Sequence, residues 1–245
     1  MDDGQGIHLQ GYSSSTKVVA FKGNTLENFH SSTDFTGSDV FGIRMYNRVV
    51  CSGNIIGCAS TSVANWKVID ANWDCIVSDN NIWGVPDTAY GIYTTSDNTN
   101  APNVSNNVIK CLNADANSKY GIVAVSNSII ANNQIENFIR GVDTVNNGAG
   151  NPENISITGN RIRLRDDVAA IGINMADNDY SLAVGNMVHG CDDAGSTGIN
   201  CNGADNCCVT GNMCPGADND FVAGATNTGA GVNGAMTLNY NWRNA

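Results

Sequence analysis

Charge is what this sequence has least of. Acidic and basic side chains make up 14% of its 245 residues, against the quarter usual in soluble domains. Surface helices laced with ion pairs need Glu, Lys and Arg in quantity, so long charged helices are not expected. Proline, at 4 residues, and aromatic rings, at 7%, are also scarce. No run approaches the roughly eighteen apolar residues that mark a membrane span. Met1-Asp2-Asp3-Gly4 does not open a basic-then-apolar secretion leader. No Cys-x-x-Cys pair has zinc-ribbon spacing. What charge there is has one sign, a net −11, which argues against nucleic acid and anionic membranes as partners.

Cysteine is present but odd in number, at 9, so at least one thiol stands outside any pairing within the chain. Cys207 and Cys208 are adjacent, and neighbours in a strand face opposite ways. Most of the thiols are expected to be small buried apolar groups. Disulfides or metal ligation are the alternative, with Cys207 or Cys208 the first candidates for a bridge.

Glycine (27 residues) and asparagine dominate instead, and they recur in order. Asn24, Asn54, Asn80, Asn107, Asn133, Asn160, Asn186 and Asn212 are separated by 30, 26, 27, 26, 27, 26 and 26 residues. The residue before each is Gly23, Gly53, Asp79, Asn106, Asn132, Gly159, Gly185 or Gly211, and only these residue types tolerate positive φ readily. Apolar residues lie three before the anchor (Phe21, Cys51, Val77, Val104, Ile130, Ile157, Ala183, Val209) and two after it (Leu26, Ile56, Ile82, Ile109, Ile135, Ile162, Val188, Cys214). This is two-residue alternation broken by a corner. A second phrase precedes each corner: Gly42-Ile43, Gly91-Ile92, Gly121-Ile122, Gly141-Val142, Gly172-Ile173 and Gly198-Ile199, with Val68-Ile69 in the same place and Gly6-Ile7 at the start.

Strand-like phrases at a period near 27 predict a solenoid of stacked β-coils. Eight or nine coils about 4.8 Å apart would make a rod of roughly 40 Å, with inward side chains in columns. The corner Asn amides would bond to those above and below. The stretch Ser156–Asp167 shows the pattern: its Gly159-Asn160 is a corner and not a hairpin tip.

Three outward surfaces are candidate sites. The first is the residue after each Gly-Ile phrase: His8, Arg44, Asp70, Tyr93, Val123, Asp143, Asn174 and Asn200. Polar groups with a Tyr suit sugar binding, and an ordinary solvated sheet face is the competing reading. Asp70 and Asp143 lie three coils apart, roughly 14 Å, too far for a glycosidase carboxylate pair at about 5 to 9.5 Å. Asp70 is expected to pair with Arg44. The second lies three after each anchor, where Lys110, Glu136 and Arg163 alternate in sign. Trp83 in that row is a candidate ligand platform, with Trp66 and Trp73 one coil earlier as possible companions. The third is acidic: Asp166, Asp192 and Asp218 are spaced by 26 residues, and Asp167 and Asp193 follow the same spacing. Stacked carboxylates share a proton or recruit a cation, so three readings stay open: solvated acidic turns, a Ca²⁺ site at Asp166, Asp192 and Asp218, or catalysis by Asp166, Asp192 and Asp193.

The Gly-Ile and Gly-Asn-x-Ile phrases resemble the right-handed parallel β-helix repeat of the pectin-lyase-like superfamily, over about residues 6 to 240. The resemblance implies an all-β, single-stranded right-handed parallel β-helix, a single domain over 1–245. Superfamily members include polysaccharide lyases, glycoside hydrolases, uronate epimerases, adhesins and phage tailspikes. Their catalytic motifs do not carry over. The polygalacturonase order is broken here, with Arg161-Ile162-Arg163 before His189-Gly190 and Asp192-Asp193, and Val188 where Gly is required. The epimerase motif that begins Tyr-Gly is matched only by Tyr90-Gly91, and Tyr93-Thr94-Thr95 follows without acid or His. With no amphipathic capping helix evident, the chain is expected to be a fragment or to have its ends covered by other chains.

The expected function is therefore an extracellular or virion-associated polysaccharide-binding β-helix of tailspike type, a type that implies a homotrimer, with glycan cleavage by lyase or hydrolase chemistry left open. A structural or adhesive solenoid without catalysis, and a secreted Ca²⁺-dependent polysaccharide lyase or epimerase, are the alternatives.

Overall fold

In the computed structural model of the chain, the described residues are 6–11, 18–29, 40–58, 65–86, 89–95, 101–112, 120–145, 151–165, 168–190 and 194–215, with the strands Asn219–Ala223 and Thr237–Asn239. Every pairing between named strands is parallel, and every partner lies one coil away. Among the described residues two sheets have nine strands and a third has seven. The chain is a parallel β-solenoid.

We label as sheet A the one carrying the Gly-Ile phrases. Sheet B carries the strands before the Asn corner, and sheet C those after it. The corner between B and C has the predicted conformation in every coil. The residue before the anchor has φ between 55° and 66° at all eight positions, from Gly23 to Gly211. The anchor after it is buried from Asn54 to Asn212. Asn54 illustrates its bonding. Its backbone N–H and its Nδ2 both donate to Asn80 Oδ1, at 3.1 and 2.8 Å, while Nδ2 also donates to the Phe21 carbonyl at 3.1 Å. The pair of hydrogen bonds to the next Oδ1 recurs at each step from Asn24 to Asn212. A buried amide is costly unless its donors and acceptor are satisfied, and here each amide serves the coils on both sides.

The inward columns form as the spacing predicted. Ile56, Ile82, Ile109, Ile135, Ile162 and Val188 stack in register on sheet C, and all are fully buried. Sheet A explains its own glycines. A Cβ on Gly91 would come within 2.6 Å of Ile109 Cγ2, and one on Gly141 within 2.5 Å of Ile162 Cγ2. The glycine therefore lets the strand of sheet A close against the isoleucine column of sheet C. Three coils of sheet C carry one extra residue four places after the anchor, each at positive φ: Asn28, Gly84 and Asn137. The strand register shifts beside them, as expected of β-bulges.

The eight described cysteines are all free, and only Cys208 is exposed. Burial raises the thiol pKa to about 12 at Cys51, Cys58 and Cys201 and to about 11 at Cys75 and Cys207. Cys207 and Cys208 face opposite ways, as adjacent strand residues must. Cys191 lies outside the described residues.

Two outcomes follow from this architecture. Asn133→Ala should destabilise the fold by about 3 kcal/mol, since it strands two buried donors of Asn107 on one neighbouring coil and takes a donor from Asn160 Oδ1 on the other, whereas Asn106→Gly, at a positive-φ corner, should stay within about 0.5 kcal/mol; urea unfolding measures both. With an aromatic disulfide reagent on the native chain, Cys208→Ser should remove one equivalent of rapid labelling and Cys51→Ser should remove none.

Candidate functional site

The outward face of sheet A gathers most of the chemistry. The row after the Gly-Ile phrase is in register from His8 through Arg44, Asp70, Tyr93, Val123, Asp143 and Asn174 to Asn200. It lies beside a second row, three strand positions earlier, that the sequence reading did not single out: Phe41, Lys67, Tyr90, Tyr120 and Arg140. Because the two residues between the rows, the glycine and the Ile or Val after it, both turn inward, both rows turn outward. Their side chains then cover one another. The Arg44 guanidinium lies 4.3 Å from the Phe41 ring centroid, Lys67 Nζ 4.4 Å from Tyr93, and the Arg140 guanidinium 5.0 Å from Tyr120. Tyr90 packs against Tyr93 at 5.4 Å and against Tyr120 at 5.5 Å. A cation over an aromatic face is held by the ring quadrupole, so the face is a continuous belt of rings and cations.

Beneath that belt the row is not a solvated surface. Asp70 is 1% exposed and Asp143 3%. Each has a cation within reach. Arg44 Nε lies 3.0 Å from Asp70 Oδ2, the pairing the sequence predicted. Arg140 Nη1 donates to Asp143 Oδ1 at 2.7 Å. The same oxygen accepts from Asn174 Nδ2 at 2.7 Å, and Asn174 Oδ1 accepts from Asn200 Nδ2 at 2.7 Å. The amides thus form a relay across three coils that ends on the carboxylate.

A cavity of about 380 Å³ opens beside this carboxylate, lined in part by Arg140, Asp143, Thr144, Asn151, Asn174 and Asp177. Its floor is fixed from below. Thr144 Oγ1 lies 2.9 Å from the Asn174 carbonyl and 2.7 Å from Asn178 Oδ1, and its single proton is given to one of the two. Electrostatics distinguish Asp143 from an ordinary surface acid. Burial raises its pKa above the usual carboxylate value, and Arg140 and the Asn174 hydrogen bond only partly oppose this. Burial also raises Tyr90, with Asp143 adding to the effect. Tyr120 is raised by burial, opposed by Arg140 and reinforced by Asp143 and Tyr90. Of these three groups Asp143 lines the cavity, and a carboxyl that burial holds toward its protonated form is a candidate proton donor there.

The structure separates the remaining sequence candidates. Trp66 does not join a platform. It is fully buried, with its ring 5.8 Å from that of Phe29, because it lies at the entry to the sheet A strand Lys67–Asn72 and turns into the core. Trp73 packs edge-on against Tyr46 at 5.6 Å. Trp83 stands on sheet C, 48% exposed, in register with Gly57 and Lys110. Lys110 Nζ and Glu136 Oε2 are 3.5 Å apart, as alternating charge predicted. Asp166, Asp192, Asp193 and Asp218 lie outside the described residues. Among the described residues no cluster of three His, Cys, Asp or Glu could hold a metal ion.

No family model matches the chain, and no curated protein matches it. Among solved structures it is similar to the A-module of the Azotobacter vinelandii mannuronan C-5 epimerase AlgE6, at 13% identity and a TM-score of 0.33, over 84% of this chain. The chain spans 65% of the length of that module. So distant a likeness carries neither activity nor substrate to this chain.

The raised pKa of Asp143 fixes the sign of a pH effect. Folding favours its protonated form, so its contribution to stability is greatest below the unfolded carboxylate pKa and is lost as pH rises through the folded value. Asp143→Asn should therefore melt above the wild type at pH 7, with the gap closing by pH 3; calorimetry across that range measures it.

Proposed function

We propose that the chain is a polysaccharide-binding β-helix of tailspike type, acting outside the cell or on a virion, that holds a glycan along the outward face of sheet A. The observation that carries this reading is the belt of half-buried Tyr90, Tyr93 and Tyr120 rings beside the hydrogen-bonded wall of Asp143, Asn174 and Asn200. Sugars are amphipathic: the C–H faces of a pyranose need a flat apolar surface, and its hydroxyls need fixed donors and acceptors. Both are offered here within two rows of one sheet. The cavity volume lies in the range of small-ligand sites, roughly 300–1,000 Å³, and so takes a sugar residue of a longer chain. A sheet repeating along the axis also suits a polymer better than a compact metabolite.

Glycan cleavage is a second reading, favoured by Asp143. A carboxyl whose pKa burial raises is suited to donate a proton to a leaving glycosidic oxygen. Asp70 is three strands away along the row and cannot complete a hydrolase pair with it. The other catalytic carboxylate would come from the acidic turns at Asp166, Asp192 and Asp193 or from a second subunit of a homotrimer. Ca²⁺ held by Asp166, Asp192 and Asp218 belongs to this reading.

A glycan array followed by titration calorimetry tests the binding proposal, with one series in EDTA to reveal any Ca²⁺ requirement. Tyr90→Ala should weaken the best-bound oligosaccharide about tenfold, the worth of one aromatic contact, with Tyr90→Phe near wild type. Unchanged affinity in Tyr90→Ala, or an array with no bound glycan, would overturn it.

A further inference from the structure

We propose that Trp83 forms a second carbohydrate platform, on sheet C and separate from the sheet A cleft, that takes a pyranose ring bearing an anionic substituent. The proposal shares the ligand class of the sheet A reading but none of its residues.

The platform is built by the neighbouring coil. Trp83 is in register with Gly57. A Cβ on Gly57 would come within 2.7 Å of Trp83 Cζ2 and 3.0 Å of Cε2. The indole therefore lies over the backbone of Gly57, and any side chain there would lift it. One edge of the ring is seated against the coil, yet the residue remains 48% exposed. Large rings left exposed forgo burial that the core columns obtain at every other coil, and an exposed ring in a fixed orientation is suited to stacking. Rigidity reduces the entropy lost on binding. Gly84, at φ 74°, places a bulge immediately after Trp83, and bulges re-aim the side chains beside them.

The charge at this face identifies the ligand. Lys110 follows Trp83 in the next coil, in register with it. Its side chain is 53% exposed even while its ammonium lies 3.5 Å from Glu136. Arg163 continues the row beyond Glu136, and Arg161 lies on the same strand. Three cations against Glu136 on these adjoining strands make a locally positive face on a chain of net charge −11. Such a face selects a sugar whose ring stacks on Trp83 while its carboxylate or sulfate meets Lys110.

The 245-residue chain, titrated with hexagalacturonate as the anionic probe and cellohexaose as the neutral one, tests this by tryptophan fluorescence and calorimetry. Hexagalacturonate should change the wild-type emission. Trp83→Ala should abolish that change and weaken binding about tenfold, Trp83→Phe should restore affinity, and Gly57→Val should weaken binding by displacing the ring. Lys110→Gln should remove the preference for the anionic probe. Wild-type affinity in Trp83→Ala or Gly57→Val would overturn the platform. Equal or tighter binding of cellohexaose would overturn the anionic assignment, and loss of the Trp83 signal in Tyr90→Ala would overturn its independence. Failure of Tyr90→Ala to affect any binding, with Trp83→Ala still defective, would reject the sheet A proposal and leave this one standing.

Discussion

One amide per coil sets the geometry of this molecule. The corner asparagine is buried, so its side chain must find partners, and at every coil it finds them in the coils on either side. Satisfying it fixes how far each coil lies from the next and how it is turned. The positive-φ residue before it fixes where the chain bends. Given those two constraints, an apolar residue three before and another two after must point inward, and columns follow without large aromatic residues. A chain poor in charge, proline and aromatic rings can thus sustain a long core, because the core is assembled one coil at a time from small aliphatic side chains.

The same regularity positions the candidate sites. The glycines of sheet A allow a close approach to the isoleucines of sheet C, and the strand is kinked there, with the glycine and the aliphatic residue after it both turned inward, so that the residues flanking this pair face outward. Two adjacent outward rows then come close enough for cations to lie over rings and to ion-pair with carboxylates beneath them. A strictly alternating strand would have put only one row there. The site geometry is therefore a by-product of how the core closes.

Much of this was legible in the sequence because the repeat fixes register. The corners, the amide ladder, the inward columns and the Arg44–Asp70 pair all depend on spacing alone, and spacing can be counted. The row of Phe41, Lys67, Tyr90, Tyr120 and Arg140 was equally countable, one place before each Gly-Ile or Gly-Val phrase and before its Val68-Ile69 counterpart, but strict alternation assigns that place to the interior. Only the kink reverses it. The burial of Asp143 and the cavity beside it depend on how neighbouring side chains fold over the row, which no periodicity encodes. Trp66 was misjudged for a related reason: it precedes its strand, where the repeat no longer dictates a face. The bulges at Asn28, Gly84 and Asn137 left a readable trace, an Asn or Gly four places after the anchor.

The amide ladder also has a direction. In each step the oxygen belongs to the later coil and the donors to the earlier one, so every carbonyl in the column points toward the same end of the rod. Strand dipoles in a sheet largely cancel, but these side-chain dipoles add. The rod is consequently polar along its length, with acceptors facing one terminus and donors the other. A further coil can extend the column only head to tail, since a reversed one would set oxygen against oxygen.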